Sequence, residues 1–369
     1  MAQTYSPAGA VRTGLTPQHW DDNFFRDYVR ASRYRRYMGT DAAAMFQIRE
    51  ELTKKKGDTI TFALVNELTG NGVTGNSTLK GNEERLGLRS QTVTVDVLRH
   101  AVSVDDWDEQ KSVIDLRDAA KVQLREWSMK MLRNACTDAL GSIDGTNFES
   151  QSAANRTTWM NNNSDRVLFG QTTANLNSTF ALSCSDISAS EQCSPLALSL
   201  LKRMAQAASP KIKPLYVKEM DQEWYVCFVG PRCWRDLTED NPTTNPLILA
   251  NRDARVRGVD NPLFTGDSLV WDGMILREIP EIAPLATLSG SGGERLEPVY
   301  LCGAQAVGIA WGQRTKSTTD TDDYGFLHGV GIQEIRKVEK LRFGTAAGAD
   351  QTTPKDHGIA TAYFAAPAD

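Results

Sequence analysis

The sequence predicts an α+β fold, in which antiparallel strands and a few helices occupy separate stretches of the chain. Residues 58–65 (DTITFALV) and 92–97 (TVTVDV) alternate apolar with polar side chains, a period that is typical of half-buried antiparallel strands. Residues 112–140 carry apolar side chains at three- and four-residue steps, which predicts one helix of about 28 residues. The later part mixes short strands and helices without the regular alternation of a parallel sheet.

Composition narrows the function classes. The 369 residues include 41 Lys and Arg against 46 Asp and Glu, and a net charge of −5 is not typical of a chain whose main task is nucleic-acid binding. The longest apolar stretch, residues 298–311, is too short for a spanning helix and contains Gln305, so no membrane partner is predicted. None of the six cysteines has C-x-x-C spacing. We expect buried free thiols, with a bridge between Cys184 and Cys193 as the alternative.

The N-terminal part predicts an arm over residues 1–16, followed by a helix over residues 17–38 that Thr16 caps. Its second half interleaves tyrosines with arginines, a mixture that can bind single-stranded nucleic acid. The favoured interpretation is that the tyrosines pack while the arginines are solvated or paired. These arginines are Arg26, Arg30, Arg33, Arg35 and Arg36.

Residues 70–75 (GNGVTG) match the glycine spacing of a dinucleotide-binding turn, and Asp96 lies where the ribose-binding acid would be expected. Such a turn must open directly into a helix, whose N-terminus holds the pyrophosphate. Here Gly81 and Gly87 interrupt the following segment, which has no apolar stripe. We therefore interpret the two strands as the arms of one long hairpin with a glycine-rich, charged tip.

This hairpin predicts a contact between subunits. A two-stranded ribbon is marginal alone in water, and nothing near it in sequence offers a surface for its apolar face, whereas a neighbouring subunit would. The tip is also much longer than an ordinary hairpin loop. The predicted inter-subunit residues of the tip are Gly70, Gly72, Gly75, Lys80, Glu83, Glu84 and Arg85.

The long helix is predicted over residues 112–140, with Ser112 and Asp115 as a capping box and Gly141 as its stop. Its predicted core residues are Leu116, Leu124, Trp127 and Met131.

The second half of the chain predicts short elements. Residues 142–193 are rich in Asn, Ser and Thr and predict loops with short elements. A helix starts at Ser194 and Pro195. Residues 224–230 (WYVCFVG) predict a central strand, and a short helix follows from Pro231.

No motif for chemistry is present in the sequence. The four histidines are far apart, and the calcium-loop start at residues 320–325 (DTDDYG) has Gly331 where the bidentate Glu should be, so we interpret it as a polar turn. Phosphate-loop, zinc-protease and serine-hydrolase motifs are missing as well. The sequence therefore predicts no catalytic residue, no cofactor and no metal site, and a protein that is not an enzyme.

The order of these segments resembles a known family. The hairpin tip LTGNGVTGNSTLKGNEE, the long-helix segment VTVDVLRHAVSVDDWDEQKSVIDLRDAAKVQLREW, and the later segments YVCFVGPRCWRDL, NPLFTGDSLVWDGMILRE and DYGFLHGVGIQEIRKVEKLRFG carry the likeness. Together they resemble the major capsid proteins of tailed double-stranded DNA bacteriophages, in the short-tailed branch. The likeness runs from about residue 15 to the C-terminus, and the hairpin and long helix are its most specific part.

The resemblance implies the tailed-phage capsid fold and its parts. These would be an N-terminal arm and helix (1–56), an extended β-hairpin loop (57–104), a peripheral domain with a spine helix (105–141), an axial domain (142–298) and closing strands that complete the axial sheet and return to the peripheral domain (299–369).

In function, the resemblance implies hexamers and pentamers of an icosahedral shell around packaged double-stranded DNA. The protein would be assembled in the host cytoplasm and located in the virion. Its implied partners are other copies of itself, a portal protein, a scaffolding protein and a decoration protein, with non-specific contact to DNA. The clustered arginines would face the lumen or a neighbour.

Two alternatives remain at this stage. One is the shell of a cellular compartment with the same fold, which would be distinguished by a neighbouring cargo-enzyme gene instead of terminase and portal genes. The other is an NAD-dependent enzyme that uses Gly70–Gly75, which would be distinguished by quenching of tryptophan fluorescence on addition of NAD.

Overall fold

The structure is a computed structural model and describes residues 33–53, 57–65, 72–75, 78–80, 83, 88–112, 115–217, 222–238, 268–344 and 353–367. Its α-helices are α1 (Asp106–Lys111), α2 (Leu116–Gly141), α3 (Ala153–Asn162), α4 (Phe180–Ser185), α5 (Pro195–Ala207) and α6 (Pro231–Thr238).

The strands of the first half are β1 (Met38–Gly39), β2 (Phe46–Arg49), β3 (Thr59–Val65), β4 (Leu88–Thr94), β5 (Asp96–Asp105), β6 (Val167–Phe169), β7 (Leu215–Val217) and β8 (Gln222–Val229). The strands of the second half are β9 (Ser268–Trp271), β10 (Met274–Glu278), β11 (Leu296–Cys302), β12 (Val307–Asp322), β13 (Leu327–Lys340), β14 (Arg342–Gly344), β15 (Pro354–Asp356) and β16 (Ile359–Ala365).

Two mixed sheets organise the described part of the chain. The five-stranded sheet has the order β1-β2-β12-β13-β5, and the seven-stranded sheet has the order β6-β16-β11-β8-β10-β9, with β7 paired to β8. The strand predicted as central, β8, lies inside the second sheet between β11 and β10. The chain passes from β11 to the five-stranded sheet and returns in β16, so the last strand belongs to the seven-stranded sheet.

Strands β3 and β4 form a separate antiparallel ribbon, in which Thr59 pairs with Thr94 and Val65 with Leu88. This pairing confirms the hairpin, but its second arm ends at Thr94, because β5 leaves the ribbon and pairs along its whole length with β13. The predicted extended loop, which runs to Val104, therefore includes nearly all of β5, a strand of the five-stranded sheet.

The apolar face of the ribbon packs within its own subunit. Ile60, Phe62, Leu64 and Val93 are buried against Ala310, Leu341 and Phe343. The covering residues lie about 250 positions later in the sequence, so the expectation that a neighbouring subunit covers this face is wrong.

The long helix α2 has 26 residues and is therefore about 39 Å long. Its N-cap is Asp115, whose carboxylate accepts hydrogen bonds from the backbone N–H groups of Arg117 and Asp118. Ser112 instead terminates the short helix α1, so the predicted capping box is wrong.

The buried face of α2 also differs from the predicted one. Its buried side chains include Ala120, Leu124, Ser128, Leu132, Cys136 and Leu140. Leu116, Trp127 and Met131 are only half-buried. The Trp127 ring lies beside the His100 ring, with 4.5 Å between their centroids. The buried residues follow one another at four-residue steps, and on a helix with 3.6 residues per turn each such step rotates the buried side by about 40°. The buried face therefore winds around the helix along its length.

Residues 142–193 form loops with short elements, as predicted, and these elements pack around a common core. Five aromatic side chains meet in this core, within a few ångströms of one another: Phe148, Trp159, Phe169, Phe180 and Tyr363. Polar N-caps start the helices, since Ser152 accepts from the backbone of Asn155 and Thr179 from that of Leu182. The periodic apolar signal is weak here because the helices are short.

A buried ion pair joins the end of β13 to the short strand β15. Nζ of Lys340, the last residue of β13, lies 2.7 Å from Oδ2 of Asp356, and both side chains are 1% exposed. Trp159 Nε1 donates to the same carboxylate oxygen at 3.0 Å. Because an unpaired charge at such a site is costly, the pair fixes the position of β13 relative to α3 and β15.

The described end of the predicted N-terminal helix is not helical throughout. Arg35–Tyr37 forms one turn of 3-10 helix, and Met38 pairs with Phe46 in a parallel bridge. The earlier residues of that prediction lie outside the described part of the chain.

Candidate assembly surfaces

The tip of the ribbon, residues 66–87, is described only in part. Gly72 and Gly75 have φ angles of 70° and 73°, in the left-handed region that favours glycine. Lys80 and Glu83 are exposed, and Leu79 is 64% exposed. Of the predicted tip residues, Gly70, Glu84 and Arg85 lie outside the described residues. The described part of the tip thus offers polar and apolar groups to solvent.

A second exposed surface lies at one end of the five-stranded sheet, where β5 meets β13. Asp105 pairs with Leu327, and the backbone N–H of Asp106 donates to the carbonyl of Phe326, which places α1 beside the turn after β12. The exposed aromatic residues of this sheet-end surface are Trp107, Tyr324 and Phe326, of which Tyr324 is fully exposed.

Ion pairs hold α1 in this place. The Asp106 carboxylate lies 2.7 Å from Arg117 Nη2 and 3.1 Å from His328 Nε2, so it connects α1 to α2 and β13. Sequence reasoning interpreted the turn at residues 320–325 as merely polar. The signal that it passed over is the pair of aromatic side chains in an otherwise acidic turn.

The described arginines near the N-terminus are solvated while the neighbouring tyrosines pack. Tyr34 is buried, and its hydroxyl lies 2.7 Å from Thr137 Oγ1. The rings of Tyr34 and Tyr37 both lie edge-on to Phe228. Arg35 and Arg36 are exposed and Arg33 is half-exposed, which agrees with the favoured interpretation. Arg26 and Arg30 lie outside the described residues.

The described residues contain no group of three or more side chains able to hold a metal ion. The six cysteines are buried free thiols, Cys184 and Cys193 included. Burial raises the pKa of the Cys136 and Cys184 thiols to about 12, so they remain protonated and unreactive at neutral pH.

The strand that leads into Gly70–Gly75 pairs antiparallel with the strand that follows it. A dinucleotide site needs these two strands parallel, with a helix between them. The ribbon geometry therefore contradicts the dinucleotide interpretation. No helix in the described part of the chain is long and apolar enough to cross a membrane.

Comparisons with known proteins agree with this architecture. Residues 10–368 match the family described as phage capsid protein. The chain is 27% identical to the major capsid protein of Pseudomonas phage KPP25 over 380 residues, which cover 94% of each protein.

Comparison with solved structures also finds phage capsids. The capsid of cyanophage Pam1 is similar with 32% identity, a TM-score of 0.79, and coverage of 93% of this chain and 94% of the other. The capsid of Ralstonia phage GP4 shares the fold, with 21% identity, a TM-score of 0.72, and coverage of 91% and 92%. These similarities confirm the family resemblance and the tailed-phage capsid fold.

Proposed function

Since this chain belongs to the phage capsid protein family and is a major capsid protein, the structural subunit of a phage shell, we propose that it assembles into hexamers and pentamers. These capsomers close into an icosahedral shell around packaged double-stranded DNA. The protein is assembled in the host cytoplasm and becomes part of the virion.

The observation that supports this proposal is that the ribbon has two parts, a base and a tip. Its base is anchored by buried side chains of the same subunit, whereas its tip extends beyond Val65 and Leu88, the last pair of the ladder. An anchored base with an extended tip suits a contact that reaches a neighbour. We propose that the tip residues, with Gly72, Gly75, Lys80 and Glu83 among them, contact an adjacent copy.

The sheet-end surface offers a second contact for assembly. Large apolar side chains exposed together are typical of protein–protein interfaces, and aromatic residues are enriched there. Trp107 is 59% exposed, and Phe326 is 45% exposed. We propose that neighbouring subunits cover these side chains in the shell.

The charge of the chain fits a container. A net charge of −5 does not favour tight binding to the packaged DNA, so contact with the genome is non-specific and confined to local basic groups such as Arg35 and Arg36. Portal, scaffolding and decoration proteins are the further partners. The protein has no catalytic role in this proposal.

Assembly is tested by sedimentation and negative-stain microscopy of the purified protein, with and without its scaffolding protein. We expect capsomers or closed shells whose proportion rises with protein concentration. A monomer at every concentration, salt condition and scaffold ratio would contradict the proposal. Nuclease-resistant double-stranded DNA in shells isolated from infected cells tests the enclosed genome separately.

A further inference from the structure

A cavity of about 240 Å³ lies between the C-terminal end of α2 and one face of the seven-stranded sheet. Its walls come from α2 around Asp138, from residues 147–149, from residues 281–286, and from strands β11 and β16. Neither the assembly surfaces nor the ribbon involves this cavity.

Two tyrosine hydroxyls face this cavity without a partner. Tyr300 pairs with Thr361 and Tyr363 with Pro298, so the two tyrosines are diagonal neighbours on one face of the sheet. Tyr300 is 7% exposed and Tyr363 is 2% exposed. Both side chains line the cavity, and among the described residues neither hydroxyl makes a hydrogen bond. Both hydroxyl oxygens therefore open onto the cavity, where a bound group can pair with them.

The end of the long helix leaves room for one of these hydroxyls. A Cβ atom at Gly141 would lie 2.5 Å from the Tyr300 hydroxyl oxygen, closer than van der Waals contact allows. Glycine at this position therefore keeps the Tyr300 hydroxyl in place at the cavity wall.

The other polar groups of the cavity wall are mainly acceptors. Three carboxylates line it, Asp138, Glu149 and Glu281, and no lysine or arginine does. Glu281 pairs through Oε1 with Arg133 at 2.6 Å, while its buried Oε2 has no hydrogen-bond partner among the described residues. Asp138 accepts one long hydrogen bond of 3.4 Å from Asn147 Nδ2. Glu149 already accepts from the Ala286 N–H at 2.9 Å and the Thr287 hydroxyl at 2.8 Å and lies 3.8 Å from Arg156, so the unfilled acceptors belong to Asp138 and Glu281.

We propose that this cavity binds a primary ammonium group. An ammonium has three N–H donors and a positive charge, which match the two tyrosine hydroxyl oxygens, the unpaired Oε2 of Glu281 and the weakly bonded carboxylate of Asp138. The rings of Phe148, Tyr300 and Tyr363 give it aromatic faces as well. A metal ion fits less well, because the described acidic side chains do not converge into a group of three that could coordinate one.

Burial gives independent support to an unfilled cation site. It raises the pKa of Asp138 above its ordinary value, and it raises the pKa of Tyr300, to which the charges of Asp138 and Glu149 add. A bound cation would relieve both effects. The ammonium group comes either from a free amine or from a lysine side chain of a neighbouring copy, and the chemistry of the site is the same for both.

The first test is thermal unfolding of dissociated subunits with methylammonium chloride, titrated from about 1 to 100 mM. Sodium chloride at equal ionic strength controls for screening, and tetramethylammonium chloride controls for a cation without N–H donors. We expect a saturable rise in Tm with methylammonium alone. An equal rise with either control salt, or no rise, would overturn the proposal. A rise with Mg²⁺ or Ca²⁺ but not with methylammonium would also overturn it.

Variants then locate the binding. Tyr300→Phe and Tyr363→Phe remove only a hydroxyl, and Asp138→Asn removes only a charge. Each should reduce the methylammonium-dependent rise in Tm by about fivefold or more. Glu126→Gln, on the same helix outside the cavity, is the matched control and should keep the full rise. If all four variants respond like the unmodified protein, the site lies elsewhere and the proposal fails.

Repeating the methylammonium titration on assembled shells distinguishes the two sources of the ammonium group. This experiment rests on the proposed function. A retained response indicates a free amine. A response present in subunits and lost in shells indicates that a lysine of a neighbouring copy fills the cavity. Failure of assembly would remove this experiment only and would leave the subunit experiments valid.

Discussion

Phe62 lies where the ribbon meets the rest of the subunit. Its side chain is fully buried, and Gly308 on β12 has no room for a Cβ, which would lie 2.8 Å from Phe62 Cζ and 2.9 Å from Leu341 Cδ2. This close approach of backbone and ring holds the base of the ribbon on its own subunit.

We predict that Phe62→Ala lowers the free energy of unfolding by about 3–5 kcal/mol, because it removes a buried ring and leaves a cavity. Urea unfolding of the subunit measures this change. Thr61→Ala, the neighbouring exposed position, is the control and should change the free energy by less than about 0.5 kcal/mol. Equal effects of the two substitutions would show that the apolar face of the ribbon is not covered within the subunit.

His357 is a buried titratable side chain between strands β15 and β16. Burial, with smaller contributions from Arg166, Lys213 and Arg89, lowers the pKa of His357 from 6.5 to about 4. Its Nδ1 has no hydrogen-bond partner among the described residues. The folded subunit therefore holds this imidazole neutral at pH values where an unfolded chain would protonate it.

The direction of the pH effect follows from this lowered pKa. Above about pH 6.5, His357 is neutral in both the folded and the unfolded state, and the free energy of unfolding has its full value. Between about pH 6.5 and pH 4, only the unfolded chain binds a proton at His357, so the free energy of unfolding falls. We predict that the free energy of unfolding decreases by up to about 3 kcal/mol as the pH falls across this interval, and urea unfolding measures it. His357→Leu should flatten this part of the profile, and an unchanged slope would refute the assignment. His100→Gln, on the exposed strand β5, is the control.

At the scale of elements, the spine helix α2 shows what a sequence pattern can and cannot predict. Its existence, its type and its end near Gly141 follow from apolar spacing and glycine. Its buried face does not, because α2 packs first against Val102, Val330 and Ile332 and later against a different core. Apolar residues in a straight stripe predict the buried face only if the helix packs on a single surface. The stripe therefore predicts Trp127 and Met131 as core residues, whereas the structure buries Ser128 and Leu132.

This difference gives a test within the helix. We predict that Leu124→Ala, at a fully buried position, costs about 2–5 kcal/mol in unfolding free energy. Trp127→Lys should leave a soluble and folded subunit, because the half-buried indole can be replaced by a side chain whose charged end reaches water. An insoluble Trp127→Lys protein would restore the face predicted from the sequence, and a mild Leu124→Ala effect would contradict both faces, since Leu124 lies on each of them.

At the scale of the whole molecule, the order of elements was predictable and the long-range packing was not. Helices α5 and α6 and strand β8 stand where local signals predict them. The cover of the ribbon by Leu341 and Phe343 has no local signal, since it depends on two sheets being built first. The same holds for the cavity at Tyr300 and Tyr363, which exists only once β11 and β16 pair.

The central claim is that the base of the ribbon belongs to the subunit fold and its tip to the assembly. Replacing residues 66–87 by Asn-Gly tests it, because this dipeptide suits a two-residue turn between the paired residues Val65 and Leu88. The substitution leaves every packed residue of the ribbon base in place.

The decisive measurement is a melting curve beside negative-stain images of the same preparation of this shortened protein. The account predicts a Tm close to that of the unmodified subunit, together with absent or badly deformed shells, because residues 66–87 include only four large apolar side chains. Normal shells would contradict the role of the tip in assembly, and a collapsed Tm would show that the tip is part of the subunit's own fold.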